Sequence, residues 1–244
     1  MLRNTAAFAL ALTALGASAN AQTADLPQAD SAWFTDGKSV IDARLAQQPI
    51  AKRAKNVILF VADGMGVGTN FAIRVFDGQQ KGMLGEENVL PYETFPNVAL
   101  VKTYNINAQT PDSAPTAGAM NTGVKQRFNL INLGENAITK DCSTEADNAL
   151  TTFGEIVHEM DKSVGIISTA RLTHATPAAV YAKTAYRNWE HSAPEGCMDI
   201  ASQLAAAMNS GLIDVALGGG RRHFLPKETT DPEGKTGRRK DGSP

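Results

Sequence analysis

The sequence is poor in histidine and cysteine, the side chains that most often build tight metal cages in proteins. Its 244 residues include only four histidines and two cysteines. No His-x-x-His or paired-Cys motif occurs among them. No local motif therefore predicts a complete metal cage of the kind found in zinc fingers or metalloproteases.

The chain also lacks an excess of charge of either sign. Lys and Arg total 23 and Asp and Glu total 25, which gives a formal net charge of −2. Such a balance excludes the polycationic surface that binding to duplex nucleic acid requires. The one basic cluster, at 238–240, lies in a tail rich in Gly, Pro and Asp, and we expect it to be solvated.

No apolar run is long enough to predict a stable membrane-spanning helix. At the N-terminus, Arg3 precedes an apolar run from Ala6 to Gly16, and small residues follow as far as Ala21. This pattern is typical of a secretory signal peptide at 1–21, with cleavage after Ala21 or Ala19. We therefore expect an exported mature chain, 22–244, in the periplasm or outside the cell. In that compartment, two cysteines favour one intramolecular disulfide, between Cys142 and Cys197.

Apolar runs of strand length alternate with helical patterns along the mature chain. Continuous apolar runs of this kind fit strands that are covered on both faces. The alternation predicts a three-layer α/β/α sandwich with a largely parallel central sheet. The predicted strands are 56–63, 98–104, 164–170 and 212–218, and the predicted helices are 39–47, 68–75, 114–121, 152–160, 178–183 and 198–208.

Polar residues follow the carboxyl ends of three of these strands. Asp63 closes the first, Asp112 and Ser113 come after the second, and His174 and Thr176 come after the third. In parallel sheets the loops at the carboxyl ends of the strands form the ligand crevice. We therefore expect these side chains to converge on one edge of the sheet, with Ser113 at the start of a helix, where backbone N–H groups favour an anion.

Each of these residues also has a purely structural interpretation. Asp112, Ser113 and Thr176 are common helix caps, Asp63 could form a turn, and His174 could be a surface histidine. Arg187 could simply pair with a carboxylate, although a guanidinium can also hold two oxygens of an anion. From the residues alone, the chain is predicted to hold a metal-assisted anion site that includes a serine.

Four segments carry a resemblance to a known family. They are Asn56-Val-Ile-Leu-Phe-Val-Ala-Asp-Gly-Met-Gly66, Thr110-Pro-Asp-Ser-Ala-Pro-Thr-Ala117, Thr169-Ala-Arg-Leu-Thr-His-Ala-Thr-Pro177 and Arg187-Asn-Trp189. In this order they resemble the alkaline phosphatases over nearly the whole mature chain. The likeness also supports the pairing of Cys142 with Cys197.

The resemblance implies a phosphomonoesterase that uses zinc and magnesium. Ser113 would be the nucleophile and would form a phosphoserine intermediate, activated by zinc. Asp63 would bridge the zinc and magnesium ions, and Thr176 would bind magnesium through its hydroxyl. His174 would adjust the surroundings of the magnesium without binding it. Arg187 would hold two phosphate oxygens, positioned by Asp112.

The resemblance further implies small phosphate monoesters as substrates and a homodimer as the assembly of the full-length protein. It also implies that the remaining metal ligands belong to a longer chain. We therefore expect the sheet to be incomplete at the C-terminus and the 244-residue chain to be weakly active or inactive. Two alternatives stay open: a noncatalytic secreted phosphate-binding module, and a sulfatase or phosphodiesterase on the same scaffold.

Overall fold

The computed structural model describes residues 27–48, 50 and 52–242. The signal peptide expected at 1–21 lies outside these residues. The chain divides into two compact units. The first consists of the residues up to Ile58 together with Pro91–Val98, and the second consists of Leu59–Leu90 and the chain from Ala99 onward.

The first unit contains one α-helix. Helix α1 spans Ala32–Ala46 and begins earlier than the sequence pattern predicts. Arg44, in its last turn, donates hydrogen bonds to the carbonyl oxygens of Glu93 (3.2 Å) and Phe95 (3.1 Å). These bonds tie the end of α1 to a short 3₁₀ helix at Pro91–Thr94.

The second unit contains a parallel pair of strands. Strand β1 spans Gly165–Arg171 and strand β2 spans Val215–Gly219, close to the predicted 164–170 and 212–218. Ile166 pairs with Ala216 in a parallel register. The pairing confirms an α/β fold with a parallel sheet, which has two strands within the described residues.

The strands predicted at 56–63 and 98–104 do not form in the described structure. Both segments lack strand pairing there, and their apolar side chains are exposed: Ile58 is 77% exposed, Phe60 89% and Leu100 96%. The prediction of burial on both faces is therefore wrong for these segments. An apolar run predicts a tendency to be buried, whereas a strand also needs a neighbour to pair with its backbone groups, and no described segment pairs with these two.

The described part of the second unit contains six α-helices. Most predicted helices are confirmed to within a few residues, including the capping box of Thr152 and Glu155. The helix expected at 178–183 instead ends at Ala178. The helices are α2 (Val67–Gln80), α3 (Ser113–Thr122), α4 (Glu145–Asn148), α5 (Phe153–His158), α6 (Ala175–Ala178) and α7 (Ile200–Asn209).

Small residues bring α3 close to α6. Ala114 and Ala117 of α3 lie in one buried cluster with Ala175 and Ala178 of α6. Alanine side chains allow two helices to approach closely, and this contact sets the position of the N-terminus of α3. Gly123 ends α3 in the left-handed conformation, with φ 74°, as its place in the sequence predicts.

The tail beyond Pro226 lies in loops, as expected, but its basic cluster is not wholly solvated. Arg239 is only 2% exposed. Its guanidinium donates to both carboxylate oxygens of Asp199, at 2.9 and 3.0 Å. Asp199 is the N-cap of α7, so Arg239 fastens the tail to that helix. The expectation failed because a long cation can be buried when a distant carboxylate pairs with it, and local composition does not show this.

The predicted disulfide is present. Cys142 and Cys197 are bonded across 55 residues of sequence. Both cysteines pack against a small apolar cluster at the surface loops of the second unit. Its buried members are Leu130, Leu133, Ala137, Ala185 and Trp189.

We expect the double variant Cys142→Ala/Cys197→Ala to lose about 2–4 kcal/mol of unfolding free energy. The bond closes a long loop, and removing it returns chain entropy to the unfolded state. Guanidinium unfolding followed by circular dichroism measures the loss. The wild type in dithiothreitol should show a similar loss, and an unchanged unfolding midpoint in both would contradict the stabilising role.

Candidate active site

Asp63, Ser113 and Thr176 lie together as expected, although the strands predicted before Asp63 and Ser113 do not form. Ser113 is the first residue of α3, and its hydroxyl lies 2.9 and 3.1 Å from the two carboxylate oxygens of Asp63. Thr176, in α6, donates its hydroxyl hydrogen to Asp63 Oδ2 at 2.8 Å. One carboxylate therefore accepts hydrogen bonds from two hydroxyls that lie 63 positions apart in the sequence.

These contacts decide against side-chain capping as the role of the predicted residues. Asp112 occupies the N-cap position of α3, but its side chain makes no capping hydrogen bond. The N-cap position of α6 belongs to His174, again without a side-chain cap. The hydroxyls of Ser113 and Thr176 are directed to Asp63 instead. The side chains at these helix starts face the shared carboxylate rather than their own backbones.

Arg187 forms a second group of contacts in the site, with Asp112 and His174. It donates from Nη1 to Asp112 Oδ2 at 3.0 Å, and its Nη2 lies 3.0 Å from His174 Nε2. Because a guanidinium can only donate, His174 Nε2 is the acceptor in this contact. Two of the five guanidinium N–H groups are used here, so the others remain for an anion.

His174 lies between Arg187 and Asp63. Burial, reinforced by the positive charges of Arg187 and Arg171, lowers the pKa of His174 below its usual range. A neutral ring with its lone pair at Nε2 carries its proton at Nδ1. That Nδ1 is buried without a hydrogen-bond partner, 3.8 Å from Asp63 Oδ2.

Two residues that support the site were missed in the sequence. Asn129 donates its backbone N–H to Asp112 Oδ1 at 3.3 Å, and its carbonyl accepts the Arg187 N–H at 3.0 Å. The backbone of Asn129 is in the left-handed region, with φ 70°, which Asn tolerates better than most residues. Glu190 binds Arg171 through both carboxylate oxygens, at 2.8 and 2.9 Å.

Glu190 also fixes the segment that carries His174. It accepts the Thr173 hydroxyl at 2.6 Å. Burial raises the pKa of Glu190, but the hydrogen bonds from Arg171 and Thr173 outweigh burial and leave it lowered. Nothing in the sequence marks Asn129 or Glu190 except their nearness to the motifs, since their roles depend on contacts across loops.

The donor atoms around Asp63 fit a hard cation. The Asp63 carboxylate and the hydroxyls of Ser113 and Thr176 are oxygen ligands of the kind that magnesium prefers. The partnerless Nδ1 of His174 faces the same carboxylate. Within the described residues, no group of three or more His, Cys, Asp or Glu side chains could hold a metal.

Comparisons with known proteins identify the family to which the chain is similar. The alkaline phosphatase family model matches residues 54–244. The alkaline phosphatase of Gadus morhua is 41% identical over 223 residues, which cover 86% of this chain and 46% of that protein. The membrane-bound alkaline phosphatase of Bombyx mori is 40% identical over 226 residues, which cover 87% of this chain and 41% of that protein.

A solved structure is similar as well. The crystal structure of Thermus thermophilus alkaline phosphatase matches 80% of this chain and 36% of its own, with a TM-score of 0.56 and 27% identity. Alkaline phosphatases are metal-dependent phosphoric monoester hydrolases. The chain belongs to the alkaline phosphatase family. It spans less than half the length of these relatives.

Among the residues that the structure describes, no helix is both long enough and apolar enough to cross a membrane.

Proposed function

We propose that the chain is a phosphomonoesterase that transfers the phosphoryl group to Ser113 before hydrolysis. The observation that carries the proposal is the position of the Ser113 hydroxyl, at the N-terminus of α3 and 2.9 Å from Asp63. The free N–H groups of that helix end and its positive dipole favour a phosphate dianion beside the hydroxyl. The family membership supports the same reaction class.

In the proposed reaction, Ser113 is the nucleophile and Arg187 binds the phosphate group. Ser113 attacks phosphorus, the bond to the leaving alcohol breaks, and phosphoserine forms. Water then attacks the phosphoserine and restores the hydroxyl. Arg187, held by Asp112, donates N–H groups to two phosphate oxygens and offsets the charge that develops on them.

We also propose that zinc and magnesium serve as cofactors. Asp63, Ser113 and Thr176 would hold them, with His174 beside the site. When bound, such ions supply positive charge that lowers the pKa of a hydroxyl and neutralises phosphate oxygens. The donors near Asp63 are mainly oxygens, whereas zinc prefers nitrogen and sulfur ligands. We therefore expect the 244-residue chain by itself to turn over slowly.

Export to the periplasm or the extracellular space, and a homodimer of the full-length protein, complete the proposal. Both rest on the sequence pattern and on the family.

The test compares substrates and metals in the purified chain 22–244. We expect p-nitrophenyl phosphate to be hydrolysed faster than bis(p-nitrophenyl) phosphate or p-nitrophenyl sulfate, and EDTA to stop the reaction. A monoester suits the site because an unhindered dianion meets both the Arg187 clamp and the metals. Faster hydrolysis of the diester or the sulfate would contradict the proposal. Phosphate binding by calorimetry that survives EDTA, without turnover, would identify a noncatalytic binding module instead.

A further inference from the structure

A pair of histidines outside the candidate active site lies at the carboxyl end of β2. His223 is the last residue of a 3₁₀ helix, Arg221–His223, that follows the strand. His191 lies in the loop after Trp189 and is partly exposed. Together they make up two of the four histidines of the chain. Nothing in the proposed reaction uses either ring.

The two rings approach each other through their Nδ1 atoms. His191 Nδ1 lies 3.1 Å from His223 Nδ1, and the ring centroids are 4.9 Å apart at an interplanar angle of 68°. Two imidazole nitrogens that bind one metal ion at about 2.0–2.1 Å each are separated by roughly 3 Å. The observed spacing thus matches a pair of ligands on one ion as well as it matches a single hydrogen bond.

Both rings are neutral near pH 7, which is the form that binds metals. Burial lowers the pKa of His223 to about 4, and burial together with Arg238 lowers the pKa of His191. His223 is only 2% exposed, and its Nε2 has no hydrogen-bond partner among the residues that the structure describes. A metal ion would reach the two rings from solvent on the side of the partly exposed His191.

The charged surroundings are mixed. Glu190 and Asp199 face the pair with negative charge, whereas Arg171, Arg238 and Arg239 face it with positive charge. Glu190 Oε2 lies 3.8 Å from His223 Nδ1, but Arg171 and Thr173 already occupy this carboxylate. Among the described residues no third protein ligand completes the cluster, so water would fill the other positions.

We propose that His191 and His223 form a two-imidazole binding site for a divalent transition metal ion, separate from Asp63. The ion would take the place of the proton between the two Nδ1 atoms, and that proton would move to Nε2 of its own ring, so that both rings stay neutral. Imidazole ligands suit copper, zinc and nickel, and Cu²⁺ stands highest in the order of affinities for such ligands. Because three guanidinium groups outnumber two carboxylates around the pair, the nitrogen donors and not the local field would provide the affinity.

The test measures Cu²⁺ binding to the untagged chain 22–244 at pH 7 by calorimetry and electron paramagnetic resonance. We expect one Cu²⁺ ion to bind tightly, with a paramagnetic resonance spectrum that shows coupling to two imidazole nitrogens. His191→Ala should weaken this binding at least tenfold and remove that coupling. His191 is chosen because it is partly exposed, so its loss leaves the fold intact, which circular dichroism checks.

Two control variants separate this site from others. His158→Ala removes an exposed histidine of α5, and Asp63→Asn alters the oxygen site, so neither should change the coupling. His223→Gln, if it retains the wild-type circular dichroism spectrum, should repeat the effect of His191→Ala. Copper affinity that is unchanged in His191→Ala, or a spectrum without two nitrogens, would overturn the proposal and leave a hydrogen-bonded pair only.

Discussion

Ser113→Ala is expected to abolish phosphoryl transfer, with a loss in rate on the order of 10³-fold or more. The variant removes the hydroxyl oxygen that accepts the phosphoryl group in the proposed reaction. It leaves the backbone N–H groups of the helix end in place. Phosphate binding should therefore persist while chemistry stops, which separates the nucleophile from the anion site.

Two measurements check this outcome. Release of p-nitrophenol gives the steady-state rate, and acid quenching followed by peptide mass spectrometry detects phosphoserine at position 113. The second measurement registers single turnovers, so slow steady-state hydrolysis does not hide the result. Ser39→Ala, a change in α1 at a hydroxyl bonded to the Asp36 carbonyl, serves as the control and should leave both signals unchanged.

A phosphoryl group found on another residue would contradict the role of Ser113. The same conclusion would follow if Ser113→Ala hydrolysed the monoester at the wild-type rate. Loss of the folded state is not expected to confuse either result. The Ser113 hydroxyl makes its hydrogen bonds to Asp63, a half-exposed carboxylate, and exposed bonds of this kind contribute little to stability.

The meeting of Asp63, Ser113 and Thr176 was inferred from the predicted order of the strands. Each residue comes after an apolar segment, and the carboxyl ends of parallel strands share one edge. The prediction held even though the segments before Asp63 and Ser113 are unpaired in the described structure. The packing of α3 against α6 brings the two hydroxyls near each other, and both are hydrogen-bonded to Asp63.

Contacts between distant loops were not predictable. Asn129 supports both Asp112 and Arg187 through backbone groups, and a backbone contact leaves no pattern in the side chains. Glu190 pairs with Arg171 from 19 positions away, although each alone is an ordinary charged residue. Propensity and periodicity describe one element at a time, whereas these contacts depend on where two loops meet in space.

Arg239→Met is expected to cost about 3–5 kcal/mol of unfolding free energy, the largest stability effect among these variants. Breaking a buried ion pair leaves the other charge uncompensated in a region of low dielectric. Here Asp199 would keep its charge with only the Ser202 N–H and hydroxyl as partners, at 2.9 and 3.2 Å. The tail would also lose its attachment to α7. Chemical unfolding followed by circular dichroism measures the effect.

Three further variants separate the charge from the packing. Asp199→Asn combined with Arg239→Met removes both charges and keeps a capping side chain, so we expect it to recover much of the loss. Arg238→Met, at the exposed neighbour, should change stability by less than about 0.5 kcal/mol. The unfolding free energy of Arg239→Lys should lie between those of the wild type and Arg239→Met. An ammonium group keeps the charge but cannot hold both oxygens of Asp199 as the guanidinium does. If Arg239→Met were as stable as Arg238→Met, the buried pair would not be what fastens the tail to α7.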